Sequence, residues 1–77
     1  MNIPTYINLR QARELLERMG INFSLRQIKR AAEKNATGQR KLPFFVDPID
    51  KTLKIEKGTL VRIYRELQQE AENNLRE

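Results

Sequence analysis

The chain has 77 residues, no cysteine and no histidine, and fifteen Lys and Arg against ten Asp and Glu, a net charge of +5. A chain this short forms one domain that buries only about 60% of its unfolded surface, without disulfides or thiolate metal sites to brace it. Lacking histidine, it also lacks the commonest acid/base and metal ligand near neutral pH, so we expect no enzyme, no metal and no cofactor.

"NLRQARELLERMG" opens with Asn8 followed three residues later by Gln11, the capping-box pattern. A helix is expected from about Leu9, with Leu9, Ala12, Leu15, Leu16 and Met19 as its apolar stripe and Gly20 as its left-handed stop. After "INF" the same grammar recurs, with Ser24 as cap, Gln27 closing the box, and Leu25, Ile28, Ala31 and Ala32 as the stripe. The two starts share capping chemistry and no third copy follows, so they are not a solenoid repeat. Two helices on so short a joint predict a helix-turn-helix arrangement, with the second helix over residues 25–35.

"KNATGQRK" reads as a polar loop. "LPFFVDPIDKTLKI" reads as two short strands, near Phe44–Val46 and Leu53–Ile55, joined by a turn through Pro48. Phe44 and Phe45 should face opposite sides of their strand, one into the core and the other free for a partner. Asp47 and Asp50 are better explained as turn residues than as a catalytic carboxylate pair, and Tyr6 and Tyr64 as packing residues. From Lys57 a third helix is expected, packing through Leu60, Ile63, Tyr64, Leu67 and Ala71, some of whose far end is suited to a dimer contact. Residues 1–71 would then be the domain and 72–77 a frayed tail. The longest apolar run, "LPFFV", is too short to span a bilayer, and the N-terminus lacks a basic start followed by an apolar stretch. A cytoplasmic protein that engages no membrane is expected.

The position of the charge excess is more informative than its size. Residues 24–41 hold Arg26, Lys29, Arg30, Lys34, Arg40 and Lys41 against Glu33 alone, while the remaining nine cations and nine anions cancel. A solvated helix face followed by a polar loop would account for some of this. Yet like charges one turn apart, as at Arg26 and Arg30, repel by about 0.2–0.5 kcal/mol on a lone helix, and a localised excess is the electrostatic footprint of a polyanion. On a helical wheel Arg30 points directly away from the apolar stripe, flanked by Arg26, Gln27 and Lys34, with Lys29 nearer its edge. Arginine forks match guanine in the major groove and glutamine matches adenine, so Arg26, Gln27 and Arg30 are the candidate base contacts. Ser24, at the helix N-terminus, and Lys29, Lys34, Arg40 and Lys41 are the candidate phosphate contacts. Lys51 and Thr52 are candidate wing contacts, although Asp47 and Asp50 share that tip. RNA is disfavoured, because its narrow major groove does not easily admit a helix.

In "YINLRQARELL", "GQRKLPFF" and "IEKGTL" the chain resembles the excisionase-type and MerR-type winged helix-turn-helix DNA-binding domains. In that family a short strand and a tyrosine-containing lead-in precede the first helix, a "G-K-L-P" stretch enters the wing, and the second wing strand runs into a helix. The resemblance covers residues 6–67. It departs from the family in a longer first helix and turn, in the absence of an aromatic residue on the second helix, and in an insertion over Asn35–Gln39. It implies an α+β, mainly α, winged helix-turn-helix fold of three helices and a two-stranded antiparallel hairpin. The implied ligand is duplex DNA read sequence-specifically on the nucleoid, in transcriptional control or in bending DNA for an integrase, as a monomer or as a homodimer on DNA, with no small-molecule substrate. The other class of function is a protein-interaction adaptor working through Phe44 or Phe45 and the C-terminal helix.

Overall fold

The computed structural model describes residues 3–75. In chain order they form β1 (Tyr6–Ile7), α1 (Leu9–Arg18), α2 (Leu25–Ala32), β2 (Phe45–Val46), β3 (Leu53–Glu56) and α3 (Lys57–Leu75). Both predicted capping boxes form. Asn8 Oδ1 accepts from the Gln11 N–H at 2.9 Å while Gln11 Oε1 accepts from the Asn8 N–H at 3.0 Å, which satisfies two of the donors a helix start leaves unpaired. At the other end of α1, Gly20 takes φ +86° and the Ile21 N–H reaches back to the Leu16 carbonyl at 2.8 Å, the left-handed closure that favours glycine. Arg13 Nε donates to the Phe23 carbonyl at 3.0 Å, tying the link between the helices to α1.

The sheet corrects the expected two-stranded hairpin. It has three antiparallel strands in the order β1-β3-β2, with Ile7 opposite Ile55 and Phe45 opposite Lys54. β1 lies where the resemblance has a short strand before the first helix, although two residues are too few for alternation to stand out in the sequence; it covers the second edge of β3, and the Lys57 N–H extends the pairing to the Thr5 carbonyl at 2.8 Å. β2 is shorter than predicted because Phe44 precedes the paired residues.

Ile7, Ala12, Leu16, Ile28, Ala32, Leu42, Phe44, Ile55 and Leu60 form the buried core, so every element except β2 contributes to it. Phe44 is buried and Phe45 is 42% exposed, the alternation expected of a strand. Phe45 meets Tyr6 edge-on across the outer face of β3, ring centroids 5.7 Å apart, so Tyr6 packs on the surface and not in the core.

Helix α3 outruns both the core and its expected end. Glu56 holds its start, its carboxylate accepting from the Gly58 N–H at 2.7 Å and the Thr59 N–H at 3.1 Å. Residues 72–75, expected to fray, are helical; a run of Gln, Glu, Ala and Leu has good helix propensity, and Gln68 reaches Glu72 at 3.3 Å one turn on. Arg76 and Glu77 lie outside the described residues. Leu67 and Ala71, expected to pack, are exposed, because α3 is about 28 Å long and its contact with the core ends near Tyr64.

Candidate nucleic-acid interface

Ile28 and Ala32 sink into the core and fix which side of α2 faces out. Arg26, Gln27, Lys29 and Arg30 are all exposed. Leu25, expected on the apolar stripe, is 46% exposed, since the helix begins at the rim of the core. Arg26 and Arg30 lie one turn apart on this surface, as their spacing requires.

Not all of the chosen polar groups are free. Ser24 Oγ accepts from the Gln27 N–H at 3.1 Å, and Gln27 Oε1 accepts from the Ser24 N–H at 2.8 Å. Gln27 therefore keeps its amide Nε2 as a donor, but its acceptor is engaged in the capping box. The N–H groups of Leu25 and Arg26, the first two of the helix, have no intrahelical partner, and the Ser24 hydroxyl proton is available beside them.

The predicted span 25–35 is too long. Glu33 is extended at φ −86° and ψ 153°, which takes Lys34 off the helical face where the wheel had placed it. The cause lies further along the chain. The Leu42 N–H donates to the Ala31 carbonyl at 3.1 Å and Arg40 Nε donates to the Ala32 carbonyl at 2.7 Å, so these segments take up carbonyls that the helix end leaves open. Arg40 is consequently half-buried, and its neighbour Lys41 is exposed. The intervening loop is ordered by Asn35, whose Oδ1 accepts from the Thr37 and Gln39 N–H groups, both at 3.0 Å.

The salt bridges lie outside residues 24–41. Among the described residues they join Lys54 to Asp47 and Asp50, and Arg62 to Glu66. None involves a cation of residues 24–41; several cations elsewhere, Arg10, Lys51 and Lys57 among them, are likewise without one, so what distinguishes this surface is the density of cations, six against Glu33 alone. Lys29 also shares a groove of about 420 Å³ with Arg10 of α1 and Thr52 of the β2–β3 loop. Arg10 was not singled out in the sequence, where it stands among charges that cancel; only the docking of the start of α1 beside α2 brings it to this surface.

The β2–β3 loop is a self-contained charge cluster. Asp50 Oδ1 accepts from the Thr52 N–H at 3.0 Å and its hydroxyl at 2.7 Å, and Lys54 Nζ lies 3.0 Å from Asp50 and 3.2 Å from Asp47. The Thr52 contacts, helped by Lys54, hold the Asp50 carboxyl at about 2. The Ile49 amide and Lys54 likewise lower Asp47, and the two carboxylates raise Lys54. The Thr52 hydroxyl proton is thus engaged within the loop. Lys51 stands exposed at the tip with φ +62°. This is turn chemistry, as the sequence indicated for both aspartates. Among the described residues no group of three or more His, Cys, Asp or Glu side chains is placed to hold a metal ion, and no helix is long and apolar enough to cross a membrane. Compared with protein-family models, curated proteins and solved structures, the chain has no significant match in any of the three.

Proposed function

We propose that this chain is a winged helix-turn-helix protein that binds duplex DNA, with α2 in the major groove. The observation that carries the reading is the concentration of cations on and after α2, six over residues 24–41 against Glu33 alone, none of them in a salt bridge among the described residues. A helix about 10–12 Å across fits a groove about 12 Å wide. Arg26 and Arg30 are the base readers, with Gln27 contributing its amide donor. Lys29, Lys34 and Lys41 hold phosphates, as do Ser24 and the open N–H groups beside it. Arg40 adds charge through the part of its guanidinium that Ala32 does not engage. The β2–β3 loop is the wing, and Lys51 is its best contact, since Thr52 is tied to Asp50. In this reading the protein acts on the nucleoid as an excisionase-like architectural factor beside an integrase, or as a small transcription regulator.

Titration with duplex DNA at low ionic strength tests this, followed by NMR. Amides of residues 24–42 should shift, and three lysines on phosphates give a slope of log affinity against log salt of about −2.7, so a fourfold rise in salt weakens binding about 40-fold. Arg30→Ala should cost about 1–3 kcal/mol on the preferred site and relax selectivity at one base pair. A spectrum unchanged by duplexes of any sequence refutes the proposal. It would leave the adaptor reading, which the exposed Tyr6–Phe45 pair on the outer face of the sheet supports.

A further inference from the structure

A second concavity, of about 370 Å³, opens between α2 and α3. Buried Ile28 and Leu42 form its floor, Phe23 and Tyr64 its walls, and exposed Arg30 and Lys41 stand at its rim. The volume lies within the range of small-molecule sites, about 300–1,000 Å³, which combine an apolar lining with a few convergent polar groups. Two features define its occupant. Apart from Gln27 and the Tyr64 hydroxyl, the lining below the rim is side-chain hydrocarbon and aromatic surface, which favours a flat apolar body. Arg30 and Lys41 bring two positive charges to one mouth, and neither has a salt-bridge partner among the described residues. A neutral hydrocarbon would leave both cations unanswered, and an inorganic anion would leave the floor uncovered.

We propose that this groove binds a small aromatic carboxylate, its ring on Ile28 and Leu42 between Phe23 and Tyr64 and its carboxylate between Arg30 and Lys41. The Tyr64 wall is uncharged at neutral pH, as a tyrosine ordinarily is, and does not repel the ligand. Since Arg30 also belongs to the outward face of α2, an occupied groove would draw one cation away from that face. The inference does not rest on DNA binding, and its test contains no nucleic acid.

The protein is titrated with 2-naphthoate and, separately, with the uncharged 2-naphthalenemethanol, followed by NMR. A ring-sized ligand in an open groove should saturate with a Kd on the order of 1 mM, shifting the amides of Ala31, Leu42 and Tyr64 together. The alcohol, and 2-naphthoate on Lys41→Ala or Arg30→Ala, should each bind about two- to fivefold more weakly. Both substitutions are at exposed positions and leave the fold intact, which the dispersion of the free spectra verifies. Shifts that fail to saturate, that centre on Tyr6 and Phe45, or that are equal for acid and alcohol overturn the proposal, as does undiminished binding in both variants.

Discussion

Arg40 and Lys41 are adjacent cations with the same expectation in the sequence, and the structure gives them opposite phenotypes. Arg40 Nε donates to the Ala32 carbonyl at 2.7 Å, at the end of a helix whose last residue is wholly buried. A hydrogen bond involving a charged group contributes about 1.5–3 kcal/mol, and a cation at a helix C-terminus about 0.3–1 kcal/mol. Because Arg40 is half-exposed and water replaces some of what is lost, Arg40→Ala should destabilise by about 1.5–2 kcal/mol, near the bottom of the combined range. In a domain this small that lowers Tm by about 10 °C. Arg40→Lys keeps the charge but not the planar donor fork, and should recover only the smaller, charge-dipole share. Lys41→Ala, at an exposed position, should change stability by less than about 0.5 kcal/mol and instead make the salt slope of the proposed DNA binding shallower by about 0.9. Thermal unfolding followed by circular dichroism, paired with the salt titration, reads both effects. A Tm for Arg40→Ala within about 2 °C of the parent refutes the capping role.

Further outcomes follow from the rest of the fold. Asp50 holds its charge down to about 2 against an ordinary value of 3.8, and Asp47 and Glu56 are lowered as well. The folded state therefore favours the ionised forms. Their stabilisation is complete above the unfolded values and is lost as pH falls from about 5 towards 2, so the urea midpoint should drop across that window and drop less in Asp50→Asn; identical pH profiles would show that the carboxylate contributes nothing. Lys51 is the one non-glycine residue with positive φ among those described, and Lys51→Gly should stabilise by about 0.5 kcal/mol, the relief of left-handed strain less the entropy glycine adds to the unfolded chain; a loss in urea unfolding would contradict this. Leu16 is fully buried, and Leu16→Ala should cost about 3 kcal/mol by chemical denaturation, a large share of the total stability of so small a domain.

What the sequence determined by itself was whatever closes within a few residues. The boxes at Asn8–Gln11 and Ser24–Gln27, the stop at Gly20, the aspartate turn before Lys54 and the split between Phe44 and Phe45 depend on partners at most seven residues away or on strand alternation, and each was legible. So was the position of the charge excess, since covalent order alone sets it. Tertiary structure decided the features whose partners are remote in sequence. β1 exists because Ile7 pairs with Ile55; α2 stops at Ala32 because Arg40 and Leu42 fold back onto its last carbonyls; Arg10 joins the candidate interface because α1 begins beside Lys29. The length of α3 beyond the core marks the same divide, because propensity carries the helix to Leu75 while packing covers it only as far as Tyr64. A hydrogen bond three residues away is encoded in local spacing, whereas one that closes a long loop is made only when the assembled core repays the entropy of bringing its ends together.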